Sequence, residues 1–297
     1  MKYFTLVIFL TFVGTTYAND VADTFLKKAA KKAEQNAELV VNDMFNNVEI
    51  DLKGFYKGKP SYEISTILPL YDENNRNTFI QGHFSTQAEI EIVNIGFVQR
   101  HSFLENKIVG GYNIFYDLDL DNSHERSGIG ADLLTSLGDI HLNYYEAITD
   151  FATVNGLKEY TLDGYDVEIA FPLPYLPKSK LYAEAFSWNG INSSRDLEGE
   201  TYSLKNELPY GMMLEFGKTS YDYMSRDQEF INLTINLLEF KKNKNSLSSE
   251  LSKMYSSVPY ELYSFSDVSN RKYERVRREN KIIKQTSRQG TVRIEGY

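Results

Sequence analysis

The feature that most constrains the fold is a period-two alternation of side chains across residues 106–133, NKIVGGYNIFYDLDLDNSHERSGIGADL. One set of alternate positions is apolar with aromatic ends, and the other is small or polar. In the first half the two sets are Ile108, Gly110, Tyr112, Ile114 and Tyr116, and Val109, Gly111, Asn113, Phe115 and Asp117. The second half alternates likewise, and a polar stretch separates the halves, which predicts a β-hairpin. Its polar face carries carboxylates at Asp117 and Asp132. Such a hairpin fits both a soluble sheet and a membrane barrel with a polar lumen.

The same alternation continues over residues 47–240 and predicts twelve strands. Their expected cores are 47–54, 61–68, 77–85, 89–98, 106–116, 125–134, 138–148, 163–171, 179–188, 200–207, 211–218 and 229–240. Compact connections such as TSLG and LPYG alternate with longer polar ones such as TDFATVNGLKEYTL and WNGINSSRDLEG. Short turns at one end and long loops at the other are typical of outer-membrane barrels, whereas a soluble β-sandwich does not need this asymmetry. We therefore predict an all-β, 12-stranded antiparallel transmembrane β-barrel over 47–240.

The N-terminal region predicts export. Residues 1–18 read as a signal peptide, with Lys2 before an apolar core and small residues at Thr16 and Ala18. Residues 19–46 have apolar positions at helical spacing and a lysine-rich polar side, which predicts an amphipathic helix. We interpret it as a periplasmic helical leader; the alternative is a helix lying on a membrane surface. The chain has no cysteine, which excludes a disulfide framework and thiol chemistry.

Five stretches in order carry a family resemblance: ILPLYDEN (67–74), NIGFVQRH (94–101), GYNIFYDLDL (111–120), RSGIGADL (126–133) and DGYDVEIAFPLPYLPKSKL (163–181). Together they resemble the inverse autotransporter β-domain, the translocation barrel of intimin- and invasin-type adhesins. The resemblance implies a twelve-stranded barrel in the outer membrane of a Gram-negative bacterium, with a periplasmic N-terminus and a C-terminal linker threaded through the lumen. The partners it implies are outer-membrane lipid, the barrel assembly machinery, periplasmic chaperones and a host-surface receptor.

Residues 241–297 form a basic tail. They hold 13 Lys or Arg and 6 Asp or Glu, a net charge of +7 in a chain whose total is −9. The stretch NRKYERVRRENKIIKQ (270–285) resembles the family's linker, so we expect 241–297 to be a linker or plug. The expected basic contacts are Arg271, Lys272, Arg275, Arg277, Arg278 and Lys281. The expected acidic partners on the lumen face are Asp117, Asp132, Asp166, Glu168, Glu184 and Glu215. The alternative is a disordered basic tail in the periplasm.

The function that the resemblance implies is a translocation or anchor barrel serving adhesion or virulence. Only TSRQGTVRIEGY follows the linker-like stretch, and we read no alternating strands in it, so we expect a very short or vestigial surface passenger. Two alternatives stay open: a free-standing porin-like or structural barrel, and a hydrolase or metal site built on outer-loop His124 near Asp119 and Asp121. We expect no enzyme activity and no cofactor. The acidic barrel argues against nucleic-acid binding.

Overall fold

A computed structural model describes residues 48–53, 61–73, 75–87, 90–174, 176, 178–191, 195–222, 227–237, 239, 264–288 and 291–295. The predicted signal peptide (1–18), the predicted leader helix (19–46) and residues 241–263 of the tail lie outside these ranges. Within the described residues, no helix is long and apolar enough to cross a membrane.

Twelve antiparallel strands close into a barrel, which confirms the predicted fold class. In order around the wall they are β1 (Val48–Lys53), β2 (Ser61–Glu73), β3 (Arg76–Gln87), β4 (Ile90–Phe103), β5 (Ile108–Asp119), β6 (Glu125–Thr135), β7 (Asp139–Ala147), β10 (Gly164–Pro172), β11 (Ser179–Trp188), β12 (Leu197–Leu208), β13 (Met212–Tyr221) and β14 (Gln228–Asn236). The barrel closes where β1 pairs with β14, with Asp51 opposite Thr234 and Leu52 opposite Leu233.

The alternation read from the sequence separates an apolar outside from a polar lumen. On β10, Tyr165, Val167 and Ile169 are 49%, 39% and 37% exposed, whereas Asp166 and Glu168 are 2% and 7% exposed. Exposed apolar side chains with buried carboxylates are the reverse of a soluble protein and are typical of a barrel in lipid.

The connections at the two rims differ in length. At one rim, which we call the short-turn rim, the connections are 74–75, 104–107, 136–138, 173–178 and 209–211. At the opposite rim, the long-loop rim, they are 54–60, 88–89, 120–124, 148–163, 189–196 and 222–227. All but one of the connections at the long-loop rim have at least five residues, so the predicted asymmetry is present.

Two regions differ from the sequence-based prediction, which was wrong there. Residues 149–162 were predicted to be a loop, but this region contains the hairpin β8 (Phe151–Val154) and β9 (Leu157–Thr161). No strands were predicted after residue 285, but the tail forms β15 (Lys284–Arg288) and β16 (Thr291–Glu295). These strands join in a second sheet of order β16-β15-β9-β8.

Several barrel strands are also longer than predicted at the short-turn rim. The predicted core of the fourth strand ended at residue 98, but β4 continues to Phe103 and contains His101. Likewise β2 continues to Glu73, through an irregularity between Pro69 and Tyr71. The ends of these strands project beyond the apolar band and can therefore be polar. Because polar residues and proline are also typical of turns, the strand ends were predicted too short.

The face assignment predicts how charges are tolerated on β14. Leu233 lies on the outer face between Leu52 and Leu214, while the neighbouring Asn232 lines a cavity in the lumen. Leu233→Arg should destabilise the folded barrel by about 2–4 kcal/mol because it places a cation among lipid chains. Asn232→Arg should have a smaller effect, since its side chain enters an aqueous space. Urea titrations of both variants in bilayers would measure the difference, and equal losses would contradict the assignment.

Candidate functional site

Residues 264–284, which we call the lumen segment, pass through the barrel from the short-turn rim to the long-loop rim. At the start, the backbone N–H of Val268 donates to the carbonyl of Asn106 in a short turn, over 2.8 Å. At the end, the carbonyl of Ile283 accepts from the N–H of Leu162 in the longest loop, over 3.0 Å. Between these points, the lumen segment contacts inward-facing side chains of the wall.

The lumen segment has little regular structure of its own, only a 3-10 turn over Ser269–Arg271 before β15 begins. Its backbone polar groups therefore need partners from the wall, because buried amides without partners are costly. Arg100 is the first such partner. Its Nη1 donates to the carbonyls of Arg271, Lys272 and Glu274, at 3.4, 3.2 and 2.5 Å.

Further wall side chains bond the backbone higher in the lumen, beginning with Gln81, whose side-chain oxygen accepts from the N–H of Val276 over 2.8 Å. Arg126 Nη2 donates to the carbonyl of Glu279 over 2.7 Å, and the Tyr145 hydroxyl accepts from the N–H of the same residue over 2.7 Å. Asn143 and Asn94 donate to the carbonyls of Arg277 and Asn280, over 3.0 and 2.9 Å. Each donor replaces a partner that a helix or sheet would have provided.

Three carboxylates on the wall orient these donors. Asp132 accepts from Arg100 over 2.8 Å, and Asp117 accepts from Arg126 over 2.9 Å. Asp166 accepts from Asn143 over 2.6 Å and from the Tyr145 hydroxyl over 2.5 Å. Two of the predicted acidic residues, Asp132 and Asp166, therefore act on the lumen segment through other wall side chains.

The basic side chains of the lumen segment make direct ion pairs with the wall. Arg278 binds both oxygens of Asp117 at 2.7 Å, and both side chains are buried. Arg277 lies 2.5 Å from Glu168 and 3.5 Å from Glu215. The planar guanidinium suits such two-point contacts with carboxylates.

Acidic wall partners that sequence reasoning missed include Glu49 of β1, which lies 3.5 Å from Arg275. Arg275 binds Asp51 at 2.5 Å, Arg271 binds Asp139 at 2.7 Å, and Lys272 binds Asp72 at 2.7 Å. Asp51 and Asp139 lie on inward positions of β1 and β7 and were detectable from the alternation. Asp72 was missed because the predicted core of β2, 61–68, ended before it.

The remaining predicted residues, Glu184 and Lys281, line a cavity of about 960 Å³ beside the lumen segment. Glu184 lies on β11 opposite Glu168 of β10. The cavity wall is formed mainly by β1, β2 and β10 to β14, and Arg275 and Arg277 also line it. The lumen segment thus fills only part of the lumen cross-section.

Apolar residues fix the lumen segment at three heights. Val268 packs with Val109 and Leu134 near the short-turn rim. Val276 packs at mid-height, in a cluster with Phe79, Phe115, Ile67 and Val98. Near the long-loop rim, Ile283 joins a cluster of Tyr145, Leu162, Phe186, Trp188, Leu197 and Tyr221. These contacts remove apolar surface from a lumen that is otherwise polar.

The close approach of the lumen segment to the wall explains why residue 128 is a glycine. A Cβ atom placed on Gly128 would lie 3.0 Å from Nη2 of Arg278 and 3.3 Å from the Tyr145 ring. Any larger residue would enter the space that the Arg278 guanidinium occupies, where the guanidinium also lies over the rings of Phe115 and Tyr145.

The geometry around His124 does not resemble a hydrolase site. His124 is fully buried, with Nδ1 2.8 Å from the Thr161 hydroxyl and Nε2 3.4 Å from Glu159. Burial lowers the pKa of His124, and nearby Lys284 lowers it further. The neighbouring Asp119 binds the backbone of its own loop and Lys284. No group of His, Asp and Glu within the described ranges could hold a metal ion.

Comparison with known proteins identifies the family of this barrel. The model of the inverse autotransporter β-domain matches residues 13–280. The chain belongs to the inverse autotransporter β-domain family. This confirms the resemblance read from the five motifs, and it agrees with a closed barrel that has a basic segment in its lumen.

Two curated relatives of this inverse autotransporter β-domain come from Escherichia coli (strain K12). One, named as an attaching and effacing protein homolog, is 27% identical over 68% of this chain and 65% of its own length. The other, YchO, is 26% identical over 43% of this chain and 27% of its own length. The chain thus spans less than two thirds of either relative.

A solved structure described as "Unveiling the Mechanism Behind the in-meso Crystallization of Membrane Proteins" shares the fold of this inverse autotransporter barrel. It has a TM-score of 0.65 at 18% identity, and the alignment covers 81% of this chain and 99% of the other. At this identity the likeness supports the fold alone.

Breaking the buried ion pair between Asp117 and Arg278 should cost more unfolding free energy than breaking an exposed pair of this inverse autotransporter barrel. Asp117→Asn removes the charge that neutralises two buried arginines, Arg126 and Arg278, and should cost about 3–5 kcal/mol of unfolding free energy. The matched control is Asp72→Asn, which breaks the partly exposed pair with Lys272 and should cost less than about 1 kcal/mol. Urea titration in bilayers measures both, and similar losses would show that the buried pair is not special.

Proposed function

We propose that this barrel is an outer-membrane translocation and anchor domain that carries the chain following residue 285 to the cell surface. The observation that carries the proposal is the lumen segment, which enters at the short-turn rim beside Val268 and leaves at the long-loop rim beside Ile283. A plug that only closed a pore would not need to cross the whole lumen. A segment that joins an exported region to a membrane anchor has to do so.

The lengths of the connections at the two rims support an orientation for the barrel. In outer-membrane barrels the short turns face the periplasm and the long loops face the exterior. The residues before β1 would then be periplasmic, and β15 and β16 would lie at the cell surface. Outer-membrane lipid contacts the apolar band, and the barrel assembly machinery and periplasmic chaperones are the partners that insertion requires.

The length of the lumen segment is consistent with this arrangement. An extended chain advances about 3.3 Å per residue, so the apolar band of about 25 Å needs roughly eight residues. Arg271 pairs with Asp139 at the start of β7, and Lys284 pairs with Asp119 at the end of β5. The stretch between these two residues is therefore long enough to span the apolar band.

Adhesion is the role that we assign to the exported part of the protein. It rests on the family and on the name of the relative called an attaching and effacing protein homolog. The receptor would be a host-surface molecule that contacts the region beyond the barrel.

Epitope tags test the orientation and the export together. A tag after residue 297 should bind antibody on intact cells, because the lumen segment delivers this end to the exterior. A tag inserted between Asn155 and Gly156, at the tip of the β8–β9 hairpin, should behave in the same way. A tag after Leu137 in a short turn should bind only after the outer membrane is permeabilised. If the tag after residue 297 behaves like the one after Leu137, export is refuted.

A second candidate function, small-solute conduction, is favoured by the cavity of about 960 Å³ beside the lumen segment. Deleting residues 270–297 should open a large pore in planar bilayers and sensitise cells to large antibiotics, because the side chains that occlude the lumen are lost. The matched control is deletion of 286–297, which retains the lumen segment and should keep the pore small. If the intact chain conducts as strongly as the 270–297 deletion, the barrel is a porin and the lumen segment is not an occluding linker.

A further inference from the structure

Outside the barrel wall, the tail forms a strand pairing at the place where it leaves the lumen. There, β15 pairs with the edge of β9 in antiparallel register, with Lys284 opposite Thr161 and Thr286 opposite Glu159. The hairpin that supplies β9 belongs to the loop between β7 and β10 and forms no part of the barrel wall. A strand edge that accepts a segment of chain in this way is a recognised mode of peptide binding.

Lys284 lies at the first position of this pairing and is almost completely buried. Its ammonium group is 3.0 Å from Asp119 and 3.4 Å from Glu159, and its side chain is 3% exposed. His124 packs on the same carboxylate of Glu159. Two buried carboxylates and one buried cation therefore meet where the chain leaves the barrel.

A second loop holds the neighbouring residue. The Gln285 side-chain amide donates to the carbonyl of Ile191 over 3.1 Å and accepts from the N–H of Ile191 over 3.0 Å. This pair of bonds imitates a backbone ladder contact between strands. The emerging chain is thus held between the loop 148–163 and the loop 189–196.

Register matters at this site because no other cation lies within two residues of Lys284. A slip of two residues in either direction keeps the same face but brings Ile282 or Thr286 between Asp119 and Glu159. Both carboxylates would then be buried without a cation, which is strongly unfavourable. A slip of one residue reverses every side chain of β15 and presents the neutral Gln285 or Ile283.

We propose that the β8–β9 hairpin is a docking edge for the part of the chain that emerges from the barrel, and that Lys284 fixes the register at which it stops. This inference rests on the proposed function, since it takes β15 as the first exported strand. The hairpin would hold the exported region at a defined distance from the membrane, and β16 would extend the sheet from there.

The absence of natural cysteine in the sequence allows the register to be measured by paired cysteines. Ser287→Cys with Lys158→Cys places the two sulfurs on residues that face each other across the pairing. Ser287→Cys with Tyr160→Cys is the matched pair displaced by two residues on the same face. Directly opposed residues suit a disulfide, whereas diagonal neighbours at about 7–8 Å do not. After mild oxidation of whole cells, a thiol-reactive polymer counts the remaining free thiols.

The first pair should oxidise at least about tenfold more than the displaced pair, because the slipped register leaves buried carboxylates unpaired. Lys284→Met should remove most of this preference. The control Lys218→Met, at an exposed ion pair of the same rim, should leave the preference intact. Equal oxidation of both pairs in the parent chain overturns the docking edge, and an unchanged preference in Lys284→Met overturns the role of Lys284.

A second variant covers the case in which Lys284→Met fails to assemble. Replacing residues 151–161 with a Gly–Ser loop removes the hairpin but no barrel strand, and it should make the emerging segment sensitive to protease added to intact cells. Continued protection of that segment would overturn the proposal. The tag after residue 297 separates the two ideas. A tag at the surface without register preference leaves export standing and removes the docking edge. Register preference with a periplasmic tag leaves the pairing of β15 with β9 standing and removes export.

Discussion

The structure depends on how an extended chain satisfies its backbone polar groups inside a barrel. The lumen segment forms neither helix nor sheet until β15, so its carbonyl and N–H groups must bond to wall side chains. Arg100, Arg126, Asn94 and Asn143 supply donors at successive heights. Each of these donors is held in turn by a wall carboxylate, so the acidic lumen and the basic segment form one network. This network explains why the chain combines an acidic barrel with a basic tail.

Buried ion pairs of this kind contribute more to specificity than to stability. Desolvating two charges offsets much of their attraction, but removing one partner leaves a buried charge that is expensive. The pairs of Arg278 with Asp117 and of Lys284 with Asp119 therefore penalise any other register of the segment. The apolar contacts of Val268, Val276 and Ile283 add burial at three heights. They discriminate less between registers, since apolar packing is less directional than an ion pair.

Much of the barrel was predictable because period-two alternation maps directly onto outside and lumen. Asp117 and Glu168 followed from the alternation alone. The wall donors were not predicted, because Arg100 and Tyr145 look like ordinary strand residues until a segment lies against them. The β8–β9 hairpin was missed although Asn155-Gly156 is a strong turn signal, with φ of 51° and 80° as a two-residue hairpin turn requires. Its strands are short, and their pairing with β15 joins residues far apart in sequence, which no local pattern records.

The lumen segment is not held by filling the barrel. A cavity of about 960 Å³ remains on the side of β1, β2 and β10 to β14, whereas Arg100, Arg126, Asn94 and Asn143, which donate to its backbone carbonyls, lie on β4, β6 and β7. Arg275 and Arg277 reach from the segment to carboxylates bordering the cavity and so fix its open side. A segment held by such directional contacts can occupy a single register while part of the lumen stays open. Tight filling would select the position of the segment by shape, whereas this arrangement selects it by the placement of charges.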